Sequence, residues 1–331
     1  MAHPKTARIV RGTARQLAAL AAALRRGEIV GVPTETVYGL AANALDAVAC
    51  RKIFRAKGRP TTDPLIVHLP SAHDLAGVAV PNAAAYRLAA AFWPGPLTIV
   101  LPKRAVVPDI VSAGLPSVAV RVPAHPLFRR LLRLAEVPLA APSANPFGYV
   151  SPTAAEHVRA GLGQKVRVIL DGGPCAVGLE STIVDLRDPA KPRLLRPGAV
   201  TRAQLERVLG VKVGAPPRRA SARTAQLASG MLTRHYSPRT PVVLHARLTP
   251  TLVRRGATDE AWLFLMKPRG LAAKNVHGLA PRGDLRGAAR RLFGVLRTLD
   301  TAGYKRIHSE LVPGDGLAAA INDRLRRAAA R

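Results

Sequence analysis

Negative charge is scarce in this sequence: 20 Asp and Glu stand against 50 Lys and Arg in 331 residues, a formal net charge of +30. Such a balance gathers anions, small ones and RNA alike, but an arginine-rich proteome produces it too, and net charge does not choose between them. Cys50 and Cys175 are too few for a disulfide framework or a thiolate metal site, so a reducing, cytoplasmic setting is expected and each reads as a small buried hydrophobe. Clustered Cys and His or an acidic loop are missing as well, so no protein-held metal is expected. Aromatic residues make up only 4%, which leaves burial to Ala, Leu and Val and few rings to stack on bases. The G-x-x-x-x-G-K-[ST] of a P-loop is absent, which excludes that way of holding phosphates. Nor does any apolar run approach the ~20 residues that span a bilayer. The run at 17–24 follows Arg8, Arg11 and Arg15 like a signal or transit segment. Arg25-Arg26-Gly27 closes it and a strand-like run follows at once, so it reads as an amphipathic first helix.

At 331 residues two domains are expected. Strand-like runs at 29–32, 65–69, 97–101, 118–122 and 166–170 alternate with helical stretches such as 82–92 and 126–134, which predicts an α/β sheet with a concave working face. Asp46 is suited to cap a helix whose apolar face carries Cys50, Ile53 and Phe54 and which Gly58 stops. Thr201-Arg-Ala-Gln204 has the pattern of a capping box and opens a helix ending near Gly210. Residues 211–240 hold six Lys or Arg and no acid, and read as a basic, extended linker. Beyond it, strand-like 241–244 and 261–266 and helical 285–299 and 316–327 fit a small three-layer α/β domain. The expected division is 1–210, 211–240 and 241–331.

Chemistry concentrates at two places. Lys57-Gly58-Arg59-Pro60 sets two cations after a predicted helix, and Pro142-Ser143-Ala144-Asn145 sets two small hydrogen-bonding side chains after a predicted strand, an arrangement suited to a nucleotide's phosphates. Taken singly, both have blander readings. Cations complement any helix carboxyl end, and Ser and Asn are common turn residues. The two places belong to a longer series: Val32-Pro-Thr-Glu-Thr-Val-Tyr-Gly39, Pro64-Leu-Ile-Val-His68, Trp93-Pro-Gly-Pro-Leu-Thr98, Val118-Ala-Val-Arg-Val-Pro123, Ser151-Pro-Thr153 and Gly178-Leu-Glu-Ser-Thr-Ile-Val184. With these segments the chain resembles the YrdC-like family of threonylcarbamoyl-AMP synthases. Leu296-Arg-Thr-Leu-Asp300, Gly316-Leu317 and Ile321-Asn-Asp-Arg-Leu325 resemble the carboxy-terminal, Rossmann-like domain of its longer members.

The resemblance implies condensation of L-threonine, bicarbonate and ATP, with diphosphate released and the product passed to a separate transferase that modifies tRNA. It implies ATP contacts at Lys57, Arg59, Ser117, Ser143, Asn145, Ser151 and Arg196, with Lys57 and Arg59 neutralising the triphosphate. It implies threonine contacts at Thr36, His68, Arg121, Ala141 and Ser181. Asp63 departs from the pattern: relatives often carry Asn or His there, and a carboxylate repels phosphate unless Mg²⁺ intervenes, the metal being expected to arrive with ATP. Ser229-Gly-Met231 and Thr233-Arg-His-Tyr-Ser-Pro238 resemble a linker motif that folds over the site and brings Tyr236 to the nucleotide. Two other functions are open to this sequence. A basic RNA-binding module would use the charge, although no RNP, KH or double-strand-binding signature is present. A hydrogenase-maturation carbamoyltransferase shares the module but needs zinc fingers that two cysteines cannot build.

Overall fold

The computed structural model describes residues 6–215, 225–230 and 236–330. Among these, ten strands form one sheet, in the order Arg8–Val10, Val168–Leu170, Val30–Val32, Gly39–Asn43, Leu139–Ala140, Ile66–His68, Ser117–Arg121, Leu97–Pro102, Thr182–Asp185 and Arg193–Arg196. The local signals work as expected. Asp46 accepts hydrogen bonds from the amides of Val48 and Ala49 at the start of helix Ala47–Lys57, and Gly58 ends it in the left-handed region. Thr201 and Gln204 form the capping box of helix Arg202–Leu209.

Side-chain alternation decides where the site lies. Leu65, Val67, Ile99, Leu101, Val118 and Val120 point to one face and join the main core. On the other face Ile66 stands opposite Ala119 and His68 opposite Arg121. That second face carries a small cluster of Ile66, Val100, Ala119, Ile183 and Leu195, covered by Ala228 of segment 225–230. The result is a trough with a floor of small and aliphatic side chains, polar at its end.

The remaining strands, Val242–His245, Arg306–Glu310, Glu260–Phe264 and Val276–Gly278, pair in parallel in that order as a second sheet. Ala261 and Leu263 pack with Leu292, Phe293, Leu296, Ile321 and Leu325 of helices Leu285–Thr301 and Leu317–Ala329. Trp262 and Phe264, on the opposite face, pack with Val253 of helix Pro250–Arg255. Covered on both faces, this is the three-layer arrangement that the strand and helix signals predict. Val37, Val150, Leu179 and Tyr236 belong to the same core cluster, so the second core runs without a break into the wall of the trough.

Candidate active site

At one end of the trough, Thr36, His68, Arg121, Ala141, Ser143, Ser181, Arg196 and Tyr236 line a single cavity together with Glu180 and Ser229. The cavity measures about 30 Å³, small beside the ~300–1,000 Å³ of common ligand pockets. Parallel pairing of Ile66–His68 with Ser117–Arg121 puts His68 beside Arg121. Arg121 donates through Nε to the carbonyl of Gly95 (3.1 Å) and through Nη1 to Thr36 Oγ1 (2.9 Å), while Nη2 lies 2.7 Å from Glu35 Oε1. Its guanidinium is thus aimed and neutralised. Burial, then the nearby Arg121 charge, push the pKa of His68 down to about 3, so the ring is neutral at physiological pH.

The nucleotide candidates lie along the floor from this end. Lys57, the last residue of its helix, donates from Nζ to the carbonyls of Ser143 and Asn145, both at 2.5 Å, and an ammonium has a third donor. Asn145 turns its amide onto the carbonyls of Pro146 (2.9 Å) and Tyr149 (2.7 Å) and so fixes its own loop. Arg196 donates to Ser181 O (3.0 Å), Ser181 Oγ (3.1 Å) and Ser229 O (3.1 Å). Thr98 and Ser181 share a hydrogen bond of 2.7 Å, and Ser151 donates to Glu180 at 2.5 Å.

Lys57, Arg59, Asp63, Ser117, Asn145 and Ser151 are not among the lining of the cavity, and two of these fit the site least directly. Ser117 begins the strand that Arg121 ends, four residues or about 13 Å away at ~3.3 Å per residue. It belongs to the trough only if a long ligand lies along the strands. Asp63 is fully buried with Oδ1 3.0 Å from Arg59 Nη2, and Arg59 also donates to Asp63 O (2.9 Å), Pro64 O (2.7 Å) and Ser229 Oγ (3.0 Å). Asp63 therefore faces the Arg59 cation and does not line the cavity. Of the linker motif, residues 231–235 lie outside the described residues. Tyr236 is fully buried, in the left-handed region at φ 63°.

The charges do not cancel. Arg59 and Arg121 face carboxylates, whereas Lys57 and Arg196, each 3% exposed, have no carboxylate within ion-pair distance among the described residues. Burial, then repulsion from Arg59, hold the Lys57 pKa well below that of an ordinary lysine, with Asp63 opposing. Burial lowers that of Arg196 as well. Buried cations lacking a counter-charge are costly, and an anionic ligand removes the cost. Sequence reasoning passed over Glu35, Thr98 and Glu180, each inside a segment already noted. For Glu35 and Glu180 the signal was a polar residue next to a named one, and for Thr98 a polar residue inside an apolar strand, where its partner could not be foreseen. No group of three His, Cys, Asp or Glu placed to hold a metal occurs among the described residues.

The chain has counterparts among known proteins. The Sua5_yciO_yrdC family model, described as Telomere recombination, matches residues 22–198. The Sua5_C model, described as Threonylcarbamoyl-AMP synthase, C-terminal domain, matches residues 200–330. The Threonylcarbamoyl-AMP synthase of Pyrococcus abyssi is 42% identical over 314 residues, 92% of this chain and 91% of its own. That of Bacillus subtilis is 39% identical over 326 residues, 95% and 93% of the two chains. The crystal structure of P. abyssi Sua5 complexed with L-threonine matches with a TM-score of 0.88 at 39% identity, over 97% of this chain and 96% of that one. Matched along nearly its whole length on all three counts, the chain belongs to the Sua5/YrdC family of threonylcarbamoyl-AMP synthases.

Proposed function

We propose that the protein is an L-threonylcarbamoyladenylate synthase, condensing L-threonine, bicarbonate and ATP to threonylcarbamoyl-AMP and diphosphate. One observation carries this reading most directly: two buried cations without carboxylate partners, Lys57 and Arg196, stand beside the polar groups gathered around Arg121. The threonine carboxylate joins Glu35 at the Arg121 guanidinium. Thr36, Ser181, the Ala141 backbone and the neutral His68 ring meet its hydroxyl and amine. Bicarbonate and the amine give a carbamate and water; a carbamate oxygen then attacks the α-phosphorus and diphosphate leaves. Lys57, Arg196 and Arg59 stabilise the charge that develops on the phosphates, which makes positioning and electrostatics the main catalytic devices. Mg²⁺ arrives with the triphosphate, and Asp63 serves as the partner of Arg59.

In this reading residues 1–210 form the catalytic unit, 211–240 the linker that closes it and 241–331 a supporting domain. Segment 225–230 already rests on the floor, with Gln226 N donating to Thr62 O at 2.9 Å. Closure keeps water from a hydrolysable adenylate. The product passes to a separate transferase acting on tRNA in the cytoplasm. Purified protein should release diphosphate when both threonine and bicarbonate are present, and Lys57→Ala should lower the rate ~100-fold or more. Release that ignores both co-substrates would sink the reading.

A second activity, RNA contact, has its own observation. A cleft of about 550 Å³ that shares no residue with the trough is lined by Lys52, Arg55, Lys165 and Arg167 against one acid, Glu28. Such contact would weaken steeply with salt, by roughly one counterion per phosphate met.

A further inference from the structure

Two motifs of the carboxy-terminal half, Leu296-Arg-Thr-Leu-Asp300 and Ile321-Asn-Asp-Arg-Leu325, contribute nothing to the reaction as described, yet each sends an arginine to the trough wall. Arg324 is completely buried. It donates through Nε to Glu180 Oε2 (2.8 Å), through Nη2 to Glu180 O (3.4 Å) and through Nη1 to Pro197 O (2.9 Å) and Asp323 Oδ2 (2.9 Å). Its guanidinium carbon lies 5.3 Å from the centre of the Tyr236 ring. The other carboxylate oxygen of Glu180 accepts from Ser151 Oγ at 2.5 Å. Arg297 grips the same stretch from behind, donating to the carbonyls of Ser151 (3.3 Å) and Val150, with its guanidinium 4.9 Å above the Tyr149 ring. Tyr149 in turn donates to Asp300 at 2.6 Å. Ser151 is thus held by its hydroxyl and by its carbonyl, and both holds end in the second domain.

A contact that merely glued two domains together would be served as well by aliphatic residues, since burying an arginine costs more than burying a leucine. What an arginine adds is direction: a planar fork fixes a carboxylate in one orientation. We infer that Arg324 and Arg297 are positioning residues for the nucleotide half of the reaction: Arg324 orients Ser151 through Glu180 while stacking on Tyr236, and Arg297 fixes the backbone beneath it. The inference rests on the reading of Ser151 as a nucleotide contact. It makes the nucleotide wall incomplete without the second domain, while Thr36, His68 and Arg121 are held by groups of the first.

The test uses the full chain and steady-state diphosphate release, with KM for ATP and for threonine measured separately, on wild type, Arg324→Gln, Arg324→Lys, Ser151→Ala and the Ser151→Ala/Arg324→Gln double variant. Arg324→Gln should raise the KM for ATP about tenfold and leave that for threonine within about twofold, and the double variant should be about as impaired as the worse single one, because the effect passes through Ser151. Arg324→Lys keeps the charge without the fork and should be intermediate. Equal rises in both KM values, effects that multiply in the double variant, or a folded Arg324→Gln with an unchanged ATP KM would each overturn the inference. Should Arg324→Gln fail to fold, an Arg324→Lys enzyme with wild-type ATP KM overturns it in its place. A wild type without threonine-dependent release sinks the functional reading instead, so the two failures are told apart.

Discussion

At the scale of single residues, the chemistry of the site rests on which charges are already answered. Arg121 spends one donor on each of Gly95 O and Thr36 Oγ1 and pairs its charge with Glu35, so its fork geometry is fixed before any ligand arrives. Lysine lacks that fork. Arg121→Lys should raise the threonine KM ~10-fold or more and change the ATP KM little, as separate titrations of the two substrates would reveal. His68 carries a pH signature. Its folded pKa of about 3 lies below the 6.5 of the free side chain. The unfolded chain therefore takes up the proton first as pH falls, and stability declines from about pH 6.5 towards 3. His157, lowered to about 4 by burial and by Arg297, adds to the same slope. Thermal melts of His68→Gln should decline less across this window than those of wild type, and threonine-dependent turnover should show no step from His68 between pH 5 and 8. Residue types were legible in the sequence here, but partners were not. That Lys57 leans on two carbonyls depends on loop contacts 86 and 88 residues away, which no local pattern encodes.

At the scale of elements, capping signals and apolar runs were readable because they are local. Asp46, Gly58 and the Thr201 box sit where their chemistry demands. Strands Gly39–Asn43 and Arg8–Val10 escaped notice: Gly-Leu-Ala-Ala-Asn has little β-propensity, and three residues are too few for alternation to register. Both are strands by pairing alone. Segment 225–230 read as linker for want of any periodicity, and its seat on the trough floor follows from tertiary contact. Gly230 there has φ 79°, and a β-carbon on it would lie 2.7 Å from the Tyr236 hydroxyl and 3.1 Å from Arg196 Nη1. Gly230→Ala should cost roughly 1 kcal/mol in stability through its backbone. It should also leave the adenylate open to water, visible as ATP consumed without threonylcarbamoyl-AMP accumulating.

At the scale of the whole molecule, the two sheets are joined by a shared core. Gly178, at φ 79°, packs so closely on helix Leu285–Thr301 that an added β-carbon would stand 2.4 Å from Arg290 Cα and 2.7 Å from Ala289 O, backbone atoms that cannot swing aside. Gly178→Ala should therefore wedge the halves apart: hydrogen exchange should rise along Leu285–Thr301 and synthase activity should fall while both sheets stay folded. Deleting 211–331 would uncover Val37, Val150 and Leu179, and the remaining half should aggregate at concentrations where the full chain stays in solution. The sequence foretold two units but not their fusion, because Val37, Val150 and Leu179 look like ordinary core residues of the first.

A cavity of only about 30 Å³, against the several hundred typical of ligand pockets, also sets a clock. Threonine and ATP together need more room than that, so their joint entry waits for segment 225–230 to lift from the floor, and the fraction of molecules lifted at any moment scales every apparent affinity. Mixed rapidly with rising threonine, the protein should bind at a rate that climbs and then levels off at the lifting frequency, a ceiling that no increase in substrate can raise.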